Sequence, residues 1–155
     1  MKKVLFVCLG NICRSPAGEG VLLHYVKRDG LSDKIEVDSC GLGSWHIGKC
    51  ADMRMSEEAI SRGIELPSKA RVITIEDFYY YDYMIPMDHK NISHIKGICP
   101  SDATTTLLPF CDLISSHEVA DVPDPYFGVE NGFEYVMDLM EEGCEELLNK
   151  LKKEI

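Results

Sequence analysis

Val4-Leu5-Phe6-Val7-Cys8-Leu9-Gly10-Asn11-Ile12-Cys13-Arg14-Ser15-Pro16 reads as a buried strand, a tight loop and the first turn of a helix. Residues 3–7 are a short, mostly apolar run with β-branched side chains and no turn former, as in the middle of a parallel sheet. Gly10 and Asn11 follow, the two residue types that most readily take φ > 0. Ser15-Pro16 then reads as an N-cap followed by proline at the first helical position, where a missing N–H does no harm. Such a loop turns successive backbone N–H groups into a concave nest at a helix N-terminus, a ready site for an anion.

Cys8 opens this loop and Arg14 closes it. N–H donors and a guanidinium favour the thiolate, the form of cysteine that attacks. Arg14 supplies a planar, permanently charged fork that matches two oxygens of a phosphate. A nucleophile and a phosphate cradle in one loop point to phosphoryl transfer through a phosphocysteine. A lone cysteine at a strand end is more often a small buried hydrophobe, and a lone Cys-x5-Arg arises by chance. The Gly, Asn, Ser and Pro at the backbone-demanding positions favour the anion loop. The nucleotide P-loop pattern Gly-x4-Gly-Lys-Ser/Thr is absent, and Gly-x-Gly-x-x-Gly does not follow the first strand.

These residues resemble the low-molecular-weight protein tyrosine phosphatases. Residues 8–15 match that family's loop, Cys-x-Gly-Asn-x-Cys-Arg-Ser, throughout, and Asp124-Pro125-Tyr126-Phe127-Gly128 matches its second motif. The likeness runs from about residue 2 to the C-terminal helix. It implies hydrolysis of phosphotyrosine in protein substrates, with Cys8 as nucleophile, Arg14 as phosphate binder and Asp124 as general acid and then base. Leu9, Gly10, Asn11, Ile12, Cys13 and Ser15 would bind the phosphate around the loop, and Ser15 would also hydrogen-bond the sulfur. Trp45 and Tyr126 would flank the substrate's ring as two aromatic walls. Ser39 and Asp88 would support the loop. Phosphate and other oxyanions would inhibit by filling it. The resemblance further implies a reversible Cys8–Cys13 disulfide that protects the nucleophile. Many family members carry a histidine where this chain has Ser68, which predicts an altered hydrogen-bond network beneath the loop.

At 155 residues, with 45% hydrophobic and 27% charged side chains, the chain is expected to form one domain over residues 1–155. A net charge of −10 excludes a nucleic-acid surface and leaves the local field of the loop to attract an anionic substrate. Seven cysteines with no Cys-x2-Cys argue against a disulfide framework and for a reducing, cytoplasmic setting. No stretch is long and apolar enough to span a membrane. No cofactor or metal is expected: His89, His94 and His117 show no ligand spacing, His24 reads as a solvated surface residue, and His46 reads as a solvated loop histidine that could touch the cleft beside Trp45. A monomer is expected.

Outward from the loop, helices are predicted at 16–29, 51–62, a short piece capped by Thr74, 88–97 and 132–154. Strands are predicted at 35–39, 83–87 and 105–108. Inward stripes fall on Val21, Leu22, Tyr25 and Val26, on Met55, Ala59 and Ile60, on Ile92 and Ile95, and on the last helix from Phe133 to Leu151. Gly18 and Gly20 weaken the first helix without an evident local reason. Tyr79-Tyr80-Tyr81 reads as part core and part surface. Residues 112–131 are mostly loop, stiffened by prolines on both sides of Asp124. Strands alternating with helices give an α/β fold: a four-stranded, parallel, twisted sheet with helices on both faces and the phosphate-binding loop after strand 1. Two rivals share the loop. An arsenate reductase would relay a disulfide through two further cysteines, with Cys99 and Cys111 the candidates. A phosphocarrier would keep the phosphate on Cys8, and Asp124 argues against it.

Overall fold

The opening run forms β1, Lys2–Cys8, and its last five residues are fully buried, as the apolar reading requires. It lies inside a four-stranded sheet of order β2-β1-β3-β4, with β2 at Ile35–Gly41, β3 at Tyr83–Pro86 and β4 at Thr106–Leu107. All three pairings are parallel, with Val4 opposite both Val37 and Tyr83. The computed structural model describes residues 1–115, 119–127 and 131–155. His117 and Gly128 lie outside the described residues.

Alternation along β1 sends its side chains into two cores. Val4, Phe6 and Cys8 pack with α1 (Arg14–Arg28) and α5 (Gly132–Lys152). Leu5 and Val7 pack with Met84, Phe78 and Ile95 on the other face, beneath α3 (Asp77–Tyr80) and α4 (His89–Ile98). α2 (Met53–Ser61) packs against α5. The single-domain parallel α/β fold expected from the sequence is the fold observed, with the loop at the carboxyl end of β1, where open sheets bind ligands.

Several local expectations change. α1 begins at Arg14 with Cys13 as its N-cap, so Ser15 and Pro16 are its second and third residues. The first four N–H groups of a helix lack internal partners, so proline is tolerated there as well. The Ser15 hydroxyl is thereby released from capping. Of Gly10 and Asn11, only Asn11 takes positive φ, at 58°. β2 runs two residues further than predicted, carrying Cys40 and Gly41 beside the loop. Thr74 caps nothing with its side chain; instead its own N–H donates to Asp77 Oδ2 at 2.8 Å. Ile60 is 64% exposed, and the inner face of α2 is Met55 and Ala59. Tyr81 is buried while Tyr79 and Tyr80 are exposed.

The two unexplained glycines have a packing reason. A Cβ on Gly18 would stand 2.6 Å from the Phe6 ring, and one on Gly20 would stand 2.7 Å from the Glu65 carbonyl oxygen. Their absence lets α1 lie close on β1 and on the link that follows α2, which brings Ser15 and Glu19 under the loop.

Candidate active site

Asn11 is the residue on which the loop is built. Asparagine tolerates the left-handed region better than other side chains. Its φ of 58° turns its N–H onto Cys8 Sγ at 3.3 Å. Its side chain faces inward. Oδ1 accepts the Arg71 N–H at 3.0 Å, and Nδ2 donates to Ser15 Oγ at 2.8 Å and Ser39 Oγ at 2.9 Å. Ser15 Oγ in turn lies 3.0 Å from the Cys8 sulfur and 3.2 Å from the Cys40 carbonyl oxygen. The loop is also pinned from β2: Leu42 N–H bonds the Cys8 and Leu9 carbonyls, and Gly43 N–H bonds Leu9. Gly41 permits this, since a Cβ there would press on Leu9 O and Asn11 N at about 3.0–3.1 Å.

Arg14 is 3% exposed, and its guanidinium is held from one side. Nη1 donates to Asp88 Oδ2 at 2.6 Å and to the Val122 carbonyl at 3.0 Å, while Nη2 approaches Asp124 Oδ2 at 3.5 Å. Burial opposes its charge, but Cys8, Asp88 and Asp124 more than offset this and its pKa is raised. Asp88 serves two elements. Oδ1 caps α4 by accepting the Asn91 N–H at 2.7 Å, and Oδ2 anchors Arg14.

Asp124 reaches the site on a stretch tied down twice. Val122 N–H bonds the Met87 carbonyl, and the carboxylate of Asp121 takes both the N–H and the ring nitrogen of His89. Asp124 Oδ1 accepts the Tyr126 N–H at 3.1 Å, so the residue folds back over its own turn.

A cleft of about 340 Å³ stands over the sulfur. Its floor is Cys8, Leu9, Gly10, Ile12, Cys13 and Arg14, and its rim is Trp45, His46, Asp124 and Tyr126. The structure therefore brings together the predicted Cys8, Arg14, Asp124, Trp45 and Tyr126. Trp45 is 66% exposed, lies against Gly43 and walls the cleft. Asn11 and Ser15 do not face the cleft; with Ser39 they sit behind the loop, and Ser15 meets the site only through the sulfur. Burial, followed by Asp52 and Cys8, pushes the Cys13 thiol well up. Of the seven cysteines, Cys8 and Cys13 line the cleft, whereas Cys99 is exposed at the end of α4 and Cys111 is half-buried outside it.

His46, read from the sequence as a loop histidine that could touch the cleft, does so: it packs over Gly10 and its ring lies 5.9 Å from that of Tyr126. Sequence reasoning missed two contributors. Arg54 stands 5.7 Å from the Tyr126 ring centroid on α2. Glu19, on the buried face of α1, accepts from Ser39 and Ser68. Its signal was a charged residue at helical spacing from Ser15, between Gly18 and Gly20. Among the described residues no group of three or more His, Cys, Asp or Glu is placed to hold a metal ion, and no helix is long and apolar enough to cross a membrane.

A parallel α/β sheet with a cysteine and an arginine in an anion loop at its carboxyl end defines a class of phosphate-handling proteins, and comparison with known proteins narrows it. A model of the low molecular weight phosphotyrosine protein phosphatase family matches residues 3–155. A putative low molecular weight protein-tyrosine-phosphatase of Synechocystis is 41% identical over 99% of this chain and 98% of its own. A crystal structure of protein tyrosine phosphatase from Entamoeba histolytica, with Hepes in the active site, superposes with a TM-score of 0.94 at 39% identity, covering 99% of this chain and 98% of that one. YfkJ from Bacillus subtilis superposes at 0.91, with 39% identity over 99% and 96% of the two chains. The chain belongs to the low molecular weight protein tyrosine phosphatase family, and it is a hydrolase.

Proposed function

We propose that the protein hydrolyses phosphotyrosine monoesters in protein substrates in two steps, through a phosphocysteine on Cys8. The observation that carries this reading is the convergence of Cys8, Arg14 and Asp124 on one cleft, with a hydroxyl and an N–H already on the sulfur. The phosphate enters the loop and its equatorial oxygens take the backbone N–H groups between Leu9 and Arg14. Arg14, anchored through Nη1, binds them with Nε and Nη2. The substrate's ring lies between Trp45 and Tyr126, with Ile12 and His46 beside it. The Cys8 thiolate attacks phosphorus in line, the phosphorus–oxygen bond to the ring breaks, and Asp124 gives its proton to the departing phenolate. Asp124 then takes a proton from water, which attacks phosphorus and frees the sulfur. Ser15 donates to the sulfur as it leaves, and Ser39 and Asp88 hold Asn11 and Arg14 in place.

No step calls for a cofactor or metal, so turnover of p-nitrophenyl phosphate and of a phosphotyrosine peptide is expected to persist in excess chelator. Inorganic phosphate and vanadate are expected to compete. Acid quenching during turnover, followed by peptide mass spectrometry, is expected to find one phosphate on the peptide bearing Cys8. Turnover with no phosphate on that peptide overturns the covalent route. A disulfide relay through Cys99 and Cys111 has no support from their positions, and a phosphocarrier has no use for an acid over the sulfur. The setting is a reducing cytoplasm and the acting form a monomer.

The same loop supports redox control. Peroxide oxidises the Cys8 thiolate to a sulfenic acid, releasing hydroxide as water. The Cys13 sulfur then attacks the Cys8 sulfur, forming the disulfide and expelling a second water, and a dithiol reductant restores both thiols. Burial keeps Cys13 in its thiol form, so it is not the sulfur that peroxide oxidises first. Peroxide treatment is expected to yield a Cys8–Cys13 disulfide and full recovery with dithiothreitol. In Cys13→Ser it should yield irreversible Cys8 acids at a comparable dose.

A further inference from the structure

Glu19 is 4% exposed and lies one helical turn beyond Ser15 on α1. Its Oε1 accepts two short hydrogen bonds, from Ser39 Oγ and Ser68 Oγ, both 2.6 Å. Among the described residues no cation pairs with it. The charged groups acting on it are Asp38 on β2, which opposes its ionisation, and Arg71 on the link before α3, which favours it. Burial pushes its pKa above the usual glutamate value, and the two serines pull it partly back. A carboxyl group whose folded pKa is raised costs stability once the pH has risen above its unfolded value. The fold therefore carries a destabilising group at neutral pH.

The chain of donors shows what that group holds. Asn11 Oδ1 faces the Arg71 N–H, which can only donate, so the amide orientation is fixed and Nδ2 must donate. One of its protons goes to Ser15 and the other to Ser39. Ser39 can receive it squarely only while its own proton is taken elsewhere, and Glu19 takes it. Asn11 in turn keeps its positive φ and its N–H on the sulfur.

We propose that Glu19 is a positioning residue for Cys8: its acceptor oxygen, shared with Ser68, orients Ser39, which with Ser15 receives the Asn11 amide and so holds Asn11 in the left-handed conformation that aims the loop at the sulfur. This rests on the phosphatase reading of the cleft. The acceptor does the positioning, so an amide oxygen in the same place replaces the carboxylate.

Glu19→Leu removes the acceptor and the buried charge together. Its kcat on p-nitrophenyl phosphate is expected to fall about tenfold or more, since a small misplacement at a reacting centre costs that much. KM and the Kd for inorganic phosphate should stay within about threefold, and the melting temperature at pH 7 should not fall. Glu19→Gln keeps the acceptor, so its kcat should return to within about threefold of the parent, again without loss of stability. Glu19→Leu combined with Ser39→Ala should be no slower than Ser39→Ala alone, because both break one chain. The proposal is overturned if Glu19→Leu keeps the parental kcat, if its loss of kcat merely follows a loss of melting temperature and phosphate binding, or if Glu19→Gln is as slow as Glu19→Leu. Phosphate trapping on Cys8 is read separately. Its absence in the parent overturns the phosphatase chemistry, whereas a parental kcat in Glu19→Leu overturns the role of Glu19 alone.

Discussion

Cys8→Ser is expected to fold, to bind phosphate and to show no measurable turnover. Cys8 is 3% exposed, and its sulfur sits among groups that suit a hydroxyl as well: the Ser15 hydroxyl at 3.0 Å and the Asn11 N–H at 3.3 Å. The substitution removes little volume and leaves no donor stranded, so the melting temperature should move little. The chemistry is another matter. An alkoxide is far harder to form than a thiolate, and Asp124, which has to enter the first step carrying the proton for the leaving group, is not the base for a hydroxyl at residue 8. Removing the nucleophile from a preorganised site is expected to cost on the order of 10⁴–10⁶-fold in kcat. The cradle itself survives, because its donors are backbone N–H groups and Arg14. Trp45 is the only tryptophan and lines the cleft, so its fluorescence reports occupancy in parent and variant alike. The expected result is a phosphate titration of Trp45 fluorescence in Cys8→Ser with a Kd close to the parent's, beside an absence of p-nitrophenol release. Turnover that survives the substitution would show that water attacks the bound ester directly and that Cys8 only shapes the loop.

That experiment probes the part of the molecule most legible in the sequence. A strand, a glycine-asparagine turn and a helix start require particular residues at particular places, so Cys8 to Arg14 could be read as an anion loop before any coordinates. Buried strands and amphipathic helices were legible for the same reason: burial imposes periods on the sequence. What the sequence hid were contacts between residues distant in the chain. Asp88 caps α4, as an Asp just past a strand end should, and only the resemblance pointed to its support of the loop; that its second oxygen holds Arg14, 74 positions earlier, depends on where β3 ends beside β1. Gly18 and Gly20 read as defects in a helix, and their reason lies in the Phe6 ring and the Glu65 carbonyl packed against them. Glu19 falls between those glycines, on a helix where a charged residue is ordinarily solvated. Its burial follows from the close approach that the glycines permit. Ser15 shows the opposite error. Local propensity made it an N-cap, and the tertiary demand of the Cys8 sulfur took its hydroxyl instead.

Asp124→Asn is expected to lower kcat by roughly 10²–10⁴-fold, the usual worth of a positioned general acid. The fold should not notice. Asp124 Oδ1 accepts the Tyr126 N–H, and an asparagine oxygen accepts it equally, so the turn that presents Tyr126 is kept. The side chain is 27% exposed, which leaves room for the added amide protons. The loss should depend on the leaving group. p-Nitrophenolate departs with little protonation, whereas the phenolate of tyrosine needs a proton as its bond to phosphorus breaks. The deficit should therefore be larger on a phosphotyrosine peptide than on p-nitrophenyl phosphate. Binding should move the other way. Arg14 Nη2 now faces Asp124 Oδ2 at 3.5 Å, and an incoming phosphate must share that guanidinium edge with a carboxylate. Removing the carboxylate's charge relieves repulsion against the dianion, so the Kd for inorganic phosphate should fall or hold steady while kcat collapses. A loss of equal size on both substrates, or a parallel loss of phosphate affinity, would mean that Asp124 supports the loop and gives no proton. The leaving-group dependence separates the two roles, because a purely supporting residue does not sense which bond is breaking.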